Sequence, residues 1–192
     1  MRRTVPQTWQ RFEHYCTTGE FERLDRQYRR HCGPTAAANL ILTLSAWEGK
    51  PASLSAQQVF RTCAKIGQRR MIYMNLDLFG CLGGTSDLLA GVFLDACLKA
   101  FGIEDFCVLR RRRATEKNIR SALGRGSLLY LELRRHPKYG NHHLLCYGAQ
   151  LRRDAQGRNM LFLRCADGWV KKPCDLPLSD LPHASVVEIG LK

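Results

Sequence analysis

Between Pro34 and Trp47 apolar side chains crowd every side of a 3.6-residue period, so this segment predicts a buried helix rather than an amphipathic one. Pro34 suits its first turn, where a missing N–H costs nothing, and Gly49 and Pro51 end it. Ala36 to Ala38 would let another element approach its first turns closely. Ser55 caps a second helix running to Gln68, with Val59, Phe60, Cys63 and Ile66 as its apolar positions. After a looser stretch, Gly83-Gly84-Thr85-Ser86-Asp87 starts a third helix that reaches Phe101 and stops at Gly102. Phe106 to Leu109 predicts a strand, and Thr115 to Leu123 a short helix ended by Gly124. Ser127 to Leu133, His142 to Leu151, Met160 to Ala166 and Ser185 to Ile189 alternate or run apolar as strands do.

Helices first and strands later is the α+β pattern. Residues 1–24 form a polar, arginine-rich arm in which Trp9, Phe12, Tyr15, Phe21 and Leu24 allow short helices or docking. Residues 25–192 are expected to fold as a single domain. No run approaches the roughly 20 apolar residues of a membrane span. Arg2 and Arg3 are followed by no apolar leader core, so the expectation is a protein kept in the cytoplasm.

Nine cysteines, an odd number with no CxxC pair, argue against a disulfide framework and against a structural zinc. Most sit in apolar runs and read as small buried hydrophobes. His136, His142, His143 and Cys146 are close in sequence, but adjacent strand histidines diverge, so no metal site is expected. No cofactor motif appears either; Gly83-Gly84 lacks the Gly-Lys-Ser/Thr of a phosphate loop. The net charge of +13 favours anionic partners, nucleic acid or an acidic peptide or protein, and by itself does not choose between them. The densest run, Arg110 to Arg113, lacks interleaved aromatics and reads as a solvated turn.

Cys32 differs from the other cysteines. It stands with Gly33 and Pro34 at the mouth of the buried helix, where unpaired N–H groups and the helix dipole stabilise a thiolate. Gly33 leaves the approach to the sulfur free of a side chain. An imidazole must come from elsewhere, and His142 and His143 are the adjacent candidates. Asp154-Ala155-Gln156-Gly157 makes a turn between two strands. If the paired residue numbers sum to 309 or 311, His142 and Asp167 share a sheet face; an even sum would select His143. For Asp167-Gly168 alone, a simple turn is the plainer reading.

These residues together resemble the papain-like cysteine peptidases, and within them the bacterial branch of double-glycine-leader peptidases. The resemblance rests on Cys32-Gly33-Pro34-Thr35-Ala36-Ala37-Ala38-Asn39-Leu40, on Asn141-His142-His143-Leu144-Leu145-Cys146-Tyr147-Gly148, and on Cys165-Ala166-Asp167-Gly168-Trp169. It implies a papain-like fold, with a helical half carrying the nucleophile helix packed on a C-terminal antiparallel sheet. It implies Cys32 as nucleophile, His142 as base, Asp167 as orienting acid and Gln27 as oxyanion donor, with Gly83 and Gly84 near the substrate. Peptide hydrolysis through a thioester is the expected reaction. An acyltransferase using the same thiolate and a basic nucleic-acid-binding module are the alternatives.

Overall fold

The computed structural model describes residues 27–49, 54–78, 82–153, 156–170 and 172–192. The arginine-rich arm, residues 1–24, lies outside them. Four α-helices and a six-stranded antiparallel sheet make up most of the described chain, a mixed α+β architecture. None of these helices is long and apolar enough to cross a membrane.

Helix α1 (Cys32–Trp47) buries twelve of its sixteen residues, as its all-round apolar pattern requires. Leu40, Ile41 and Leu44 are among the largest wholly buried side chains, each contributing about 1.5–3 kcal/mol of transfer free energy. Helix α2 (Ala56–Arg69) starts at a full capping box: Ser55 Oγ accepts from Gln58 N–H, and Gln58 Oε1 accepts from Ser55 N–H. Strands β1 (Tyr73–Leu78) and β2 (Leu82–Thr85) then pair as a separate antiparallel ribbon. A 3₁₀ turn at Asp87–Leu89 leads into α3 (Ala90–Ala100). The expected third helix thus begins later than its sequence suggested. Gly83 and Gly84, at φ +117° and +84°, are spent in the ribbon; a Cβ on Gly83 would stand 1.8 Å from the Leu76 carbonyl oxygen.

Strand β3 (Phe106–Arg113), α4 (Glu116–Gly124), β4 (Leu128–His136), β5 (Gly140–Arg153), β6 (Asn159–Ala166), β7 (Cys174–Pro177) and β8 (Ser185–Leu191) follow. The sheet order is β3-β8-β4-β5-β6-β7. Its two faces bury two different sets of residues, as strand alternation demands. Tyr130, Leu145, Tyr147, Val187 and Ile189 meet the helices α1, α2 and α3. Leu129, Leu131, Leu144, Cys146 and Val186 pack beneath α4, on Ile119, Ala122 and Leu123.

The Arg110–Arg113 run is not a turn. It is the second half of the edge strand β3, where Arg111 pairs with Val187 and Arg113 with Ser185. Alternation therefore divides the run. Arg110 joins Arg125 and Ser127 around the buried Glu188, while Arg111 holds Glu132 on the helix-facing side.

Candidate active site

Cys32 is the first residue of α1 and is partly exposed at its mouth. The first intrahelical bond here runs from Thr35 N–H to the His31 carbonyl at 3.0 Å. Cys32 and Gly33 N–H groups precede it, and Pro34 has none to offer, so two donors point out of the helix start. The segment before the helix is fixed from β1: Arg29 N–H donates to Asn75 Oδ1 at 2.6 Å, and Tyr73 Oη donates to the Arg29 carbonyl at 2.8 Å. On the other side, Thr85 of β2 lies directly against Gly33, where a Cβ would come within 2.1 Å of Thr85 Oγ1. The space that glycine leaves is therefore filled by β2 and is not an open approach to the sulfur.

The imidazole in hydrogen-bond contact with Cys32 belongs to His143: Sγ and Nδ1 are 3.4 Å apart. Its Nε2–H donates to Asp87 Oδ1 at 2.9 Å, which fixes the tautomer and turns Nδ1 to the sulfur. His143 lies on β5 opposite Glu132 of β4, with Leu145 two positions on facing α1. The helix-facing side of the sheet is thus the side that delivers it. Asp87 is held in turn by Arg134 Nε at 2.8 Å.

The electrostatics follow from this contact. Burial opposes ionisation of Cys32, but the charge of His143, hydrogen bonds from His142 and His143, and the charge of His142 outweigh it. The thiol is held well below its ordinary value. For His143, burial disfavours the imidazolium, yet the Cys32 thiolate and the Asp87 hydrogen bond outweigh burial and raise its pKa to about 10. Burial alone would push Asp87 up; bonds and charge from His143 and Arg134 hold it below the usual carboxylate range.

The residues chosen from sequence are arranged differently from expectation. His142 lines the same cleft and is among the groups that lower the Cys32 pKa, while the hydrogen bond to Sγ is made by His143. The β4–β5 register slips between Leu133 and His136, beside them, and a bulge of this kind adds local twist. The count across the β5–β6 hairpin is even from the turn to Gly148, where Gly148 pairs with Arg164 and Arg153 with Asn159. A bulge between Cys146 and Gly148 then shifts it, and Leu145 pairs with Ala166 and Cys146 with Cys165, both summing to 311. That register does bring His142 to Asp167, but to the wrong atom for an acid–imidazole pair. His142 Nε2–H donates to the Asp167 main-chain carbonyl at 2.8 Å. The Asp167 carboxylate accepts from Tyr139 Oη at 2.9 Å and from the N–H groups of Trp169 and Val170. It closes the Asp-Gly turn, the plainer of the two readings.

Gln27 is exposed and does not line the cleft; its carbonyl accepts from Asn75 Nδ2. Gly83 and Gly84 do line it. Sequence reasoning passed over Asp87, naming it only as part of a helix start, and set His143 aside. No spacing links residues 87 and 143, which meet only because the 3₁₀ turn after β2 lies against β5, an inner strand of the sheet. A single cleft of about 1410 Å³ contains Cys32, His142, His143, Asp87, Tyr139 and Trp169. That volume exceeds a small-ligand pocket and suits an extended chain. Among the described residues no cluster of three or more potential ligands could hold a metal ion.

No family model matches the chain, and no curated protein or solved structure matches it either. Function must therefore be read from the chemistry of the cleft.

Proposed function

We propose that the protein is a cysteine peptidase of the papain-like kind, with Cys32, His143 and Asp87 as its catalytic triad. The observation that carries this is the chain of contacts from Cys32 Sγ to His143 Nδ1 (3.4 Å) and from His143 Nε2 to Asp87 Oδ1 (2.9 Å) at a helix mouth. A nucleophile, a base and an orienting carboxylate within hydrogen-bond reach are what acyl transfer requires. The helix-on-sheet arrangement, with the nucleophile at the start of a buried helix, supports the likeness seen in the sequence.

In this mechanism the Cys32 thiolate attacks a peptide carbonyl carbon. The Cys32 N–H at the helix start, in place of Gln27, faces the oxyanion of the tetrahedral intermediate. As the C–N bond breaks, imidazolium His143 gives its Nδ1 proton to the leaving amine. Neutral His143 then takes a proton from water, whose oxygen attacks the thioester; the C–S bond breaks, the carboxylic acid leaves, and the thiolate–imidazolium pair is restored. His142, held by the Asp167 carbonyl and packed between Tyr139 and Trp169, forms the wall of the cleft next to the catalytic pair.

A thiol-directed epoxide, mapped by mass spectrometry, should label Cys32 ahead of the buried Cys63, Cys97, Cys146 and Cys165. A fluorogenic peptide library should be cleaved by the native protein and not by Cys32→Ala. Cleavage that survives in Cys32→Ala would end the assignment. Adding an amine acceptor separates hydrolysis from acyl transfer by the product formed.

A further inference from the structure

Six arginines line the cleft of Cys32, namely Arg30, Arg111 to Arg113, Arg134 and Arg135; the only acid among the described lining residues is Asp87. We infer that the cleft takes acidic segments of polypeptide, with Asp or Glu side chains flanking the reacting bond; this rests on the peptidase reading above.

Not all of these guanidinium groups are equally available. Arg111 is bound to Glu132, Arg134 to Asp87, and Arg30 lies 3.9 Å from Asp77. Arg113 and Arg135 are different. Arg113 Nη2 donates to the Pro182 carbonyl, a neutral partner that fixes its position, and it meets no carboxylate among the described residues. Arg135 is exposed and meets no carboxylate among the described residues. Its φ of +52° is a left-handed conformation that costs a β-strand residue free energy, and its N–H is held there by Asn141 Oδ1 at 3.1 Å. This residue lies in the β4–β5 register slip, and the bulge sets its side chain on the cleft rim.

Strand register supplies the spacing. Arg113, Ser185, Glu132 and His143 form one row across β3, β8, β4 and β5, all on the helix-facing side. Three strand separations place Arg113 roughly 14 Å from His143, the reach of about four extended residues. A substrate acid about four positions from the reacting carbonyl would meet Arg113.

Nucleic acid is the rival anion. A thiolate attacks acyl carbons, and the amide is the acyl group a polypeptide brings. Base stacking along a strand would need a series of open aromatic faces, whereas Tyr139 is buried and stacked on His142, and Trp169, 38% exposed, is the one aromatic side chain of the described lining left open. The charges and the nucleophile sharing one cleft favour the peptide.

The test uses Cys32→Ala, which keeps the cleft and removes turnover. Three fluorescein-labelled probes of equal length are compared: a peptide rich in Asp and Glu, its Asn and Gln counterpart, and single-stranded RNA. The acidic peptide should bind about tenfold or more tightly than the neutral one, and the gap should narrow as salt is raised. Arg113→Gln or Arg135→Gln should remove most of the gap. Arg61→Gln, the same charge change on an exposed face of α2 outside the cleft, should keep it. Equal binding of the two peptides, weak or strong, would overturn the inference, and tighter binding of RNA would overturn it in favour of a nucleic-acid ligand. The peptidase reading fails separately, if Cys32 in the native protein alkylates with the pH profile of an ordinary thiol.

Discussion

Removing the His143 imidazole tests the proposed site at its most sensitive point. The imidazolium and thiolate stand 3.4 Å apart. At an effective dielectric constant of about 20, two unit charges at that distance attract by about 5 kcal/mol. One pKa unit corresponds to about 1.36 kcal/mol, so an attraction of this size is ample to hold Cys32 well below an ordinary thiol. His142 remains in the mutant, so the Cys32 pKa in His143→Ala should rise toward the ordinary thiol range. Below that range the thiolate fraction falls about tenfold for each unit of the rise. The assay is the rate of alkylation of Cys32 by iodoacetamide across pH, followed by mass spectrometry so that other cysteines do not contribute. The native protein should react at a nearly constant rate from well below the ordinary thiol pKa upward. His143→Ala should instead gain about tenfold per pH unit until it approaches an ordinary thiol. Peptide cleavage by the native protein should fall at both ends. On the acid side Cys32 becomes protonated, and on the alkaline side His143 loses its proton near pH 10. An unchanged alkylation profile in His143→Ala would refute the ion pair, and a change seen only in His142→Ala would return the base to the neighbouring histidine.

Two further outcomes follow from contacts around the site and behind it. Asp87→Asn keeps the shape but removes the charge that orients His143 Nε2–H; turnover should drop by about 10²–10⁴ with little change in KM, and an equal drop from Asp167→Asn would contradict the assignment. Glu188 is buried and accepts from Arg110, Arg125 and Ser127, bonds that outweigh burial and lower its pKa. A depressed carboxylate stabilises the fold above its unfolded pKa, about 4.3, and loses that contribution as pH falls through its folded value. Glu188→Gln should therefore cost about 1–3 kcal/mol in urea unfolding at pH 7 and much less at pH 3; an equal cost at both would show that the charge is not what matters.

Much of the fold was legible because it depends on local pattern. The all-round apolar run of α1, the Ser55 capping box, the Thr115 cap and the alternating strands from Leu128 onward are set by neighbours in sequence. The strand β3 ran longer than its apolar part, because Arg110 to Arg113 are paired by β8 and held by acids that no local window contains. The ribbon of β1 and β2 escaped for a similar reason. Its strands are short, and two glycines at positive φ look like a turn until Leu76 is seen against Gly83 and Arg30 against Gly84.

By itself the sequence determined which cysteine stands at a helix mouth and so is the candidate nucleophile. A cysteine at the N-terminus of a buried helix is a local arrangement, and helix geometry alone exposes the donors that favour a thiolate there. It also determined that two histidines would arrive together on one strand. Which of them touches the sulfur, and which carboxylate orients it, were left to the tertiary structure. Those contacts span 111 and 56 residues. They depend on how a strand end is twisted beside a bulge and on where a separate ribbon crosses the sheet. Register parity can say which side chains share a face, but only packing decides whether the group that meets them is a carboxylate or a main-chain carbonyl.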